Sequence, residues 1–479
     1  MDKFNWGMRA CGVLLLWTAT AVAVPAQTFT TLHSFNGTDG EYPVAGLIQA
    51  TSGNLYGTTQ IGGANADGTV FKISTNGTLT TLHSFDGTDG ANPYAGLAQA
   101  ANGTFDGTTY EGGANNAGTV FKITATGTLT TLHNFDGSDG AFPTATLVRG
   151  NNGSFYGTTS SGGDGTVFNI TQSGTLTTVQ SFDGTNGSGP NGLIQAANGN
   201  FYGTTLYGGA NNNTGCNNSG CGTVFKITPT GALTTLYSFC SQTNCPDGYA
   251  PEAALAQGTD GNFYGTTTQA GANGDGTVFK ITPSGELATL HSFEGTDGGT
   301  PVAALVQGTD GNFYGTTKAG GANLGGTIFN ITPSGTLRTL YNFCQQNSFP
   351  NCPDGAYPEA GLVQDTNGSF YGTTIWGGNG PCIIGRVTGC GTVFSLSMGL
   401  GPFVKTQPTS GAVGAAVTIL GTKLTGATSV SFNGTAAVFI LKSKFEITTT
   451  VPVGATTGTV QVVTPGGTLS SNVPFTVRP

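Results

Sequence analysis

The sequence predicts an all-β protein whose main part is a seven-bladed β-propeller closed by its own N-terminal strand. The composition favours short strands and turns, because 81 of the 479 residues are glycine and only 8% are charged. A segment of the type GTVFKI recurs at intervals of about 50 residues, a period typical of repeat architectures. The segments begin at Gly68, Gly118, Gly165, Gly222, Gly276, Gly326 and Gly391.

Each repeat unit divides into four short strands. In the unit 301–343 we predict them at VAALVQ, NFYGTT, GTIFNI and TLRTLYNF, which are apolar or β-branched and are separated by turn residues. A proline precedes every first strand, where its missing N–H removes no ladder hydrogen bond. These prolines are Pro43, Pro93, Pro143, Pro190, Pro251, Pro301 and Pro358. Four antiparallel strands in each of seven units indicate a propeller, with the recurring phenylalanines as the core between units.

The two ends of the repeat region carry complementary halves of one unit. The chain opens with a fourth-strand segment, TFTTLHSF at 28–35, and its last third-strand segment, GTVFSL at 391–396, has no fourth strand after it. We expect the N-terminal segment to supply the missing strand, which would leave no unpaired edge in that unit. An open solenoid is the rival architecture, but it would require polar caps and would not require matching half-units.

The first 26 residues have the features of a cleaved secretory signal. Lys3 and Arg9 precede an apolar run at 12–23, and small residues precede a cut after Ala26. No later run is long and apolar enough to span a membrane. The net charge of −9 and the lack of a basic cluster argue against nucleic acid and anionic membranes as partners. We therefore expect a secreted or cell-surface protein with a signal peptide at 1–26 and a propeller at 27–400.

Eight cysteines follow the predicted cleavage site, which is an even number for an oxidising compartment. They form near neighbours in sequence: Cys216 and Cys221, Cys240 and Cys245, Cys344 and Cys352, Cys382 and Cys390. Four local disulfides are the simplest prediction. Cys221 could instead pair across two strands with Cys240, leaving Cys216 with Cys245. A zinc site is disfavoured because no histidine accompanies the cysteines.

Candidate ligand-binding residues lie in the loop between the second and third strands. One position there varies between units and is occupied by Trp376 in the last unit, Tyr207 in the fourth and Glu111 in the second, where Tyr110 precedes it. Exposed aromatic side chains on one face of a propeller could stack on sugar rings or anchor a peptide. The alternative is that these side chains only pack beneath a long loop.

A recurring acidic element follows the fourth strands, as in DGTDG at 86–90. Its aspartates Asp89, Asp139 and Asp297 could contribute oxygen ligands to a calcium ion. Each loop offers few side-chain oxygens, so we favour Asp-Gly as a turn former and expect neither a metal nor a cofactor.

Enzymatic residues are sparse. The four histidines His33, His83, His133 and His291 share one fourth-strand position, which predicts a structural role and leaves none for a catalytic triad. Asp106 stands where six units have tyrosine, and with Glu111 it offers two carboxylates. A polysaccharide hydrolase or lyase would require Asp106, Glu111 and an arginine such as Arg149 in one cleft.

The unit GTVFKIxxxGxLTTLYSF with GNFYGTT resembles the GloVer tandem repeat of secreted bacterial choice-of-anchor proteins over 28–396. The resemblance implies export and a propeller, and it contributes no catalytic residues. Residues 401–479 resemble an IPT/TIG domain, which implies an immunoglobulin-like sandwich that acts as a spacer or binding module. We therefore expect a non-enzymatic binding or scaffold protein whose partner is an extracellular polysaccharide or a surface protein. An enzyme and a structural adhesion protein are the alternatives.

Overall fold

The computed structural model describes residues 27–211, 216, 219–345, 351–384 and 387–478. The predicted signal peptide at 1–26 lies outside the described residues. Within these ranges the chain is built from β-strands and turns and contains no α-helix. It follows that none of the described segments is a helix that could cross a membrane.

The repeat region contains seven four-stranded antiparallel sheets within the described ranges. The chain starts with β1 (Thr28–Ser34). Sheet 1 contains β2 (Ile48–Gln49), β3 (Leu55–Thr59), β4 (Thr69–Ile73) and β5 (Leu79–Ser84). Sheet 2 contains β6 (Ala98–Gln99), β7 (Phe105–Thr109), β8 (Thr119–Ile123) and β9 (Leu129–Asn134). Sheet 3 contains β10 (Val148–Arg149), β11 (Phe155–Thr159), β12 (Thr166–Ile170) and β13 (Leu176–Ser181). Sheet 4 contains β14 (Ser188–Gln195), β15 (Phe201–Tyr207), β16 (Thr223–Ile227) and β17 (Leu233–Ser238). Sheet 5 contains β18 (Ala256–Gln257), β19 (Phe263–Thr267), β20 (Thr277–Ile281) and β21 (Leu287–Ser292). Sheet 6 contains β22 (Val306–Gln307), β23 (Phe313–Thr317), β24 (Thr327–Ile331) and β25 (Leu337–Asn342).

Sheet 7 joins the two ends of the repeat region. Its strands β26 (Val363–Gln364) and β27 (Phe370–Thr374) are followed by a small hairpin, β28 (Ile383–Ile384) and β29 (Val387–Thr388). The next strand, β30 (Thr392–Ser397), pairs with β27 on one side and antiparallel with β1 on the other. The N-terminal segment therefore supplies the fourth strand that the last unit lacks, as predicted.

Six of the seven first strands are shorter than the sequence predicts, and the exception is β14. VAALVQ was expected to form one strand, but only Val306–Gln307 pairs with β23. The backbone carbonyl three residues before such a short strand accepts a hydrogen bond from a threonine hydroxyl of the preceding sheet and does not pair in the ladder. Thr58 Oγ1 donates to Ala95 O at 3.0 Å, and Thr316 Oγ1 donates to Ala360 O at 3.1 Å. These bonds hold neighbouring sheets together where the first strand would otherwise continue.

Aromatic pairs form the core between sheets. The phenylalanine that ends each fourth strand packs edge-on against the third-strand phenylalanine of the next sheet, with ring centroids 5.2–5.3 Å apart. The pairs are Phe35–Phe71, Phe85–Phe121, Phe135–Phe168, Phe182–Phe225, Phe239–Phe279, Phe293–Phe329 and Phe343–Phe394. Phe35 follows β1, so one pair joins sheet 7 to sheet 1. The third-strand ring also explains the glycine in YGTT, because a Cβ at Gly57 would lie 2.7 Å from Phe71 Cζ.

A glutamine on each of six first strands bonds to the neighbouring sheet. Its amide oxygen accepts a backbone N–H from the preceding sheet, as Gln99 Oε1 does from Thr51 at 3.3 Å. The same bond joins sheet 7 to sheet 1, where Thr366 N donates to Gln49 Oε1 at 3.1 Å. The exception is sheet 3, where Arg149 occupies the glutamine position.

The C-terminal domain contains two four-stranded sheets and one additional strand pair among the described residues. Its strands are β31 (Val404–Gln407), β32 (Ser410–Ala412), β33 (Ala416–Gly421), β34 (Ser429–Phe432), β35 (Thr435–Ala437), β36 (Phe439–Ser443), β37 (Glu446–Thr450), β38 (Val460–Thr464), β39 (Gly467–Ser470) and β40 (Thr476–Arg478). Residues from both sheets, such as Ile419 and Val462, form one buried apolar core. The domain contacts the turns after the first strands, where Thr366 and Thr422 hydroxyls lie 2.8 Å apart. Ser410 Oγ also lies 3.3 Å from Asn151 Oδ1.

Candidate ligand-binding face

The backbone of the loop face positions the candidate side chains. The variable residue after a second strand forms a β-bridge with the loop before the first strand, as in Ala91–Glu111 and Ala356–Trp376. The residue before each recurring proline has a positive φ, which is 53° at Asn92 and 56° at Tyr357. This conformation costs a non-glycine residue about 1–3 kcal/mol and is most often found at functional sites. The β-bridge and the positive φ together fix the direction in which the side chains project from the backbone on this face.

The first aromatic cluster lies on sheets 2 and 3. The ring of Tyr110 lies between those of Tyr94 and Phe142, with centroid distances of 6.2 and 5.1 Å. Beside it, Glu111 Oε2 accepts a hydrogen bond from Asn92 Nδ2 at 2.8 Å. The structure thus places the predicted residues Tyr110 and Glu111 in one site, together with aromatic residues that sequence reasoning missed.

The second aromatic cluster surrounds Trp376. Its ring is edge-on to Tyr357 at 5.0 Å and to Tyr42 at 6.4 Å between ring centroids. Tyr42 precedes the first strand of sheet 1, whereas Tyr357 and Trp376 flank strands of sheet 7. Trp376 is half-buried, so its own packing supports it while part of the ring reaches solvent.

Charged residues from several sheets converge beside these rings. Lys318 Nζ forms an ion pair with Glu359 Oε1 at 2.7 Å. Burial raises the pKa of Tyr94, and the charges of Glu359 and Glu252 raise it further. Burial likewise raises the pKa of Glu252, while Lys318 opposes this rise and Glu359 adds to it. These interactions link side chains of sheets 2, 5, 6 and 7. We call the group Tyr94, Glu252, Lys318 and Glu359 the mouth.

Four predicted ligand-binding residues therefore occupy different positions on one face. Tyr110 and Glu111 lie in the first cluster, and Trp376 lies in the second. Tyr207 is 45% exposed at the end of β15 and belongs to neither ring cluster. The mouth residues were missed because they come from separate units. The variation of the residues on either side of an otherwise invariant proline was the signal that could have revealed them.

The recurring aspartates have a structural partner that sequence reasoning did not identify. Asp89 Oδ2 bonds to His83 Nε2 at 2.7 Å, and Asp89 Oδ1 accepts the backbone N–H of Asp86 at 3.1 Å. Equivalent histidine contacts occur at Asp39 (His33), Asp139 (His133) and Asp297 (His291). In other sheets a tyrosine replaces the histidine, as in Tyr237 with Asp247 at 2.9 Å. Because both carboxylate oxygens are engaged, the arrangement favours the turn interpretation over calcium ligation.

The described residues include four disulfides, all between near neighbours. They join Cys216–Cys221, Cys240–Cys245, Cys344–Cys352 and Cys382–Cys390. The Sγ atoms of Cys216, Cys221 and Cys240 lie within 4.8 Å of one another. The alternative cross-strand pairing was therefore plausible sterically but is not the one present.

Two residues of the enzymatic alternative, Asp106 and Arg149, lie at the interface between sheets 2 and 3, and the third lies on the loop face. Asp106 is 1% exposed between sheets, neither carboxylate oxygen has a hydrogen-bond partner, and burial raises its pKa to about 7. Glu111 lies on the loop face, whereas Arg149 is at the opposite end of a first strand. Within the described residues no hydrogen bond or ion pair joins these three side chains.

Comparison with known families identifies both parts of the chain. The Gloeobacter/Verrucomicrobia repeat matches residues 15–218, 152–380 and 213–439, and the IPT/TIG domain matches residues 403–477. No curated protein sequence matches the chain.

Several solved structures are similar at low sequence identity. Two are described as extracellular domains of hybrid two-component systems from B. thetaiotaomicron, with TM-scores of 0.52 and 0.51 and identities of 11% and 12%. They match 92% and 94% of this chain, which spans only 46% and 58% of theirs. A fungal alcohol oxidase in complex with copper has a TM-score of 0.50 and 12% identity, covering 94% of this chain and 99% of its own. At such identities the likeness concerns the fold alone.

The three repeat matches overlap and together extend over most of the chain. The protein therefore belongs to the Gloeobacter/Verrucomicrobia repeat family and carries a C-terminal IPT/TIG domain.

Proposed function

We propose that this protein is an exported, non-enzymatic binding protein in which seven sheets form a closed β-propeller. Contacts between the last and first sheets support closure, including Phe35–Phe71 and the bond from Thr366 N to Gln49 Oε1. Thr373 Oγ1 also donates to Pro43 O at 2.8 Å. The four disulfides support export, because such bonds persist in oxidising compartments.

The convergence of rings and carboxylates on the loop face is the observation that carries the proposed function. Tyrosine and tryptophan faces stack on the C–H surface of sugars, and carboxylates accept hydrogen bonds from sugar hydroxyls. Tyr94 is 38% exposed, and its pKa is raised by burial and further by the negative charges of Glu359 and Glu252, so an accessible ring lies within the field of two carboxylates. Because the mouth contains two carboxylates and one lysine, a neutral polysaccharide fits it better than a polyanion. A surface protein is the second partner class.

A glycan array with the protein 27–479 tests this proposal. We expect binding to a defined neutral glycan, with the signal reduced by Tyr94→Ala and by Trp376→Ala. Tyr207→Ala tests whether the site extends to sheet 4. Ile440→Ala, a 59% exposed position in the C-terminal domain, is the matched control and should bind normally. Absence of glycan binding by the folded protein would reject the carbohydrate proposal.

A polysaccharide hydrolase is a second candidate, favoured by one observation. Burial raises the pKa of the Glu252 carboxyl and the negative charge of Glu359 raises it further, and two carboxyl groups with different pKa values supply the general acid and the base in glycosidases. Incubating a bound glycan with the protein and with Glu252→Gln distinguishes the two. Release of reducing ends by the unmodified protein but not by the variant would establish the enzyme, whereas an intact glycan supports binding without catalysis.

A further inference from the structure

The regular contacts between sheets break down between sheets 2 and 3. In five other interfaces the second-strand tyrosine packs against the phenylalanine of the next sheet, as Tyr56 does with Phe105 at 4.2 Å. Here Asp106 replaces that tyrosine, and its carboxylate oxygens have no partner. Thr108 Oγ1, whose counterparts bond to the next sheet, is also buried without one. Repeat positions that give up such contacts are candidates for a separate role.

Arg149 is the third side chain at this interface that lacks the contact made by its counterparts in the other sheets, after Asp106 and Thr108. The glutamines at this position accept a backbone N–H through the amide oxygen, which an arginine cannot do because guanidinium only donates. Its Nε–H is buried without a hydrogen-bond acceptor, and Arg149 forms no ion pair with any described carboxylate. Arg149 thus stands where the other sheets form an interface hydrogen bond, and its side chain has no hydrogen-bond or ion-pair partner among the described residues. Its guanidinium is therefore available to a ligand.

Arg149 lines a cavity of about 380 Å³ between the first strands of sheets 1–4 and residues 406–410 of the C-terminal domain. It is the one charged side chain among the lining residues. The other polar groups are neutral amides and hydroxyls from Gln99, Thr146, Asn151, Gln195, Thr406, Gln407, Thr409 and Ser410. A second cationic side chain lies next to the cavity lining, because Arg478 Nη2 donates a hydrogen bond to Oγ of the lining residue Ser410 at 2.8 Å. The local charge is therefore positive although the whole chain has a net charge of −9.

We infer that this cavity binds a small sugar acid, with its carboxylate on Arg149. A guanidinium recognises a planar carboxylate through two parallel hydrogen bonds, and the surrounding amides and hydroxyls suit the sugar hydroxyls. The volume is that of a small-ligand pocket, for which about 300–1,000 Å³ is usual. The site lies at the end of the first strands away from the loop face, so it is independent of the proposed polysaccharide site.

Calorimetry of the protein 27–479 with glucuronate, glucose and inorganic phosphate tests the inference. We expect saturable glucuronate binding that weakens with added salt, and at least tenfold weaker binding of glucose. Arg149→Gln should weaken glucuronate binding at least tenfold. This variant introduces the residue of the other six sheets and should fold, which an unchanged or higher melting temperature would verify. Ile440→Ala, at an exposed position of the C-terminal domain outside the cavity lining, should leave glucuronate affinity unchanged.

Three results would overturn the inference. Equal glucuronate affinity of Arg149→Gln and the unmodified protein would exclude the guanidinium. Phosphate affinity as high as that of glucuronate would show recognition of charge without a sugar acid. Loss of glucuronate binding in Trp376→Ala would move the site to the loop face. Glycan binding on the array is measured separately, so either proposal can fail while the other holds.

Discussion

The indole ring of Trp376 meets the ring of Tyr357 edge-on, at 5.0 Å between centroids and 80° between planes. The two residues flank strands of one sheet and are held by the backbone bridge between Ala356 and Trp376. Their geometry is therefore preorganised, which lowers the entropy cost of stacking a ligand on the indole. The contact with Tyr357 is also the local packing that the sequence suggests as the alternative role of Trp376. The indole ring can pack against Tyr357 and bind a ligand at the same time.

Replacing Trp376 should separate packing from binding. We expect Trp376→Ala to weaken affinity for the glycan found on the array at least tenfold, because a central aromatic anchor contributes about 2 kcal/mol or more. Trp376→Phe should retain part of the affinity, since it keeps a ring against Tyr357. Titration calorimetry with each variant measures both. Equal affinity of Trp376→Ala and the unmodified protein would remove this residue from the site.

Asp106 should destabilise the fold at neutral pH. Its carboxyl has a pKa of about 7 in the folded protein and an ordinary pKa of about 3.8 in the unfolded chain, so the unfolded chain releases the proton first as pH rises. Stability should therefore fall between about pH 4 and pH 7 and then level off. The shift corresponds to about 4 kcal/mol.

Asp106→Tyr tests this expectation, because it installs the residue of the other units against Phe155. We expect a stability gain that is larger at pH 8 than at pH 4, measured by urea unfolding at both values. Asp106→Asn is the isosteric control and should remove the pH dependence without restoring the ring contact. A gain of the same size at both pH values would contradict the assignment of the buried, protonated carboxyl.

The histidine–aspartate pairs should tolerate tyrosine. His133 Nε2 lies 2.6 Å from Asp139 Oδ2, and in sheet 6 Tyr341 makes the corresponding bond to Asp354 at 2.9 Å. We expect His133→Tyr to retain stability within about 0.5 kcal/mol and His133→Leu to lose about 1 kcal/mol, the usual net value of one hydrogen bond. Urea unfolding of the two variants measures the difference. If His133→Leu is as stable as the unmodified protein, the pair has no stabilising role.

The features that could be predicted from sequence depend on residues close along the chain. The strands of one unit and the disulfide Cys344–Cys352 are local, so spacing was enough to predict them. The His83–Asp89 bond is also local, but histidine and aspartate were interpreted separately, and each had a sufficient structural explanation by itself.

The remaining features join residues that are far apart in sequence. Tyr94 and Glu359 interact across sheets 2 and 7, and no periodicity within one unit relates them. The cavity at Arg149 depends on how the C-terminal domain packs on the first strands, which composition and spacing do not specify. Arg149 was considered only as a residue of the enzymatic alternative, and its departure from a glutamine position becomes meaningful only once the hydrogen bonds of those glutamines are seen.

The proposed closure of the propeller can be tested at the pair that joins its ends. Phe35 and Phe135 are both fully buried and each packs on the next sheet with centroids 5.3 Å apart. If the seven sheets form a closed ring, Phe35→Ala and Phe135→Ala each remove an interior contact, and each should cost about 3–5 kcal/mol. In an open array Phe35 would lie at an end, and its replacement would cost far less than that of Phe135. Urea unfolding of both variants decides between these architectures. A cost below about 1 kcal/mol for Phe35→Ala, beside a large cost for Phe135→Ala, would reject closure.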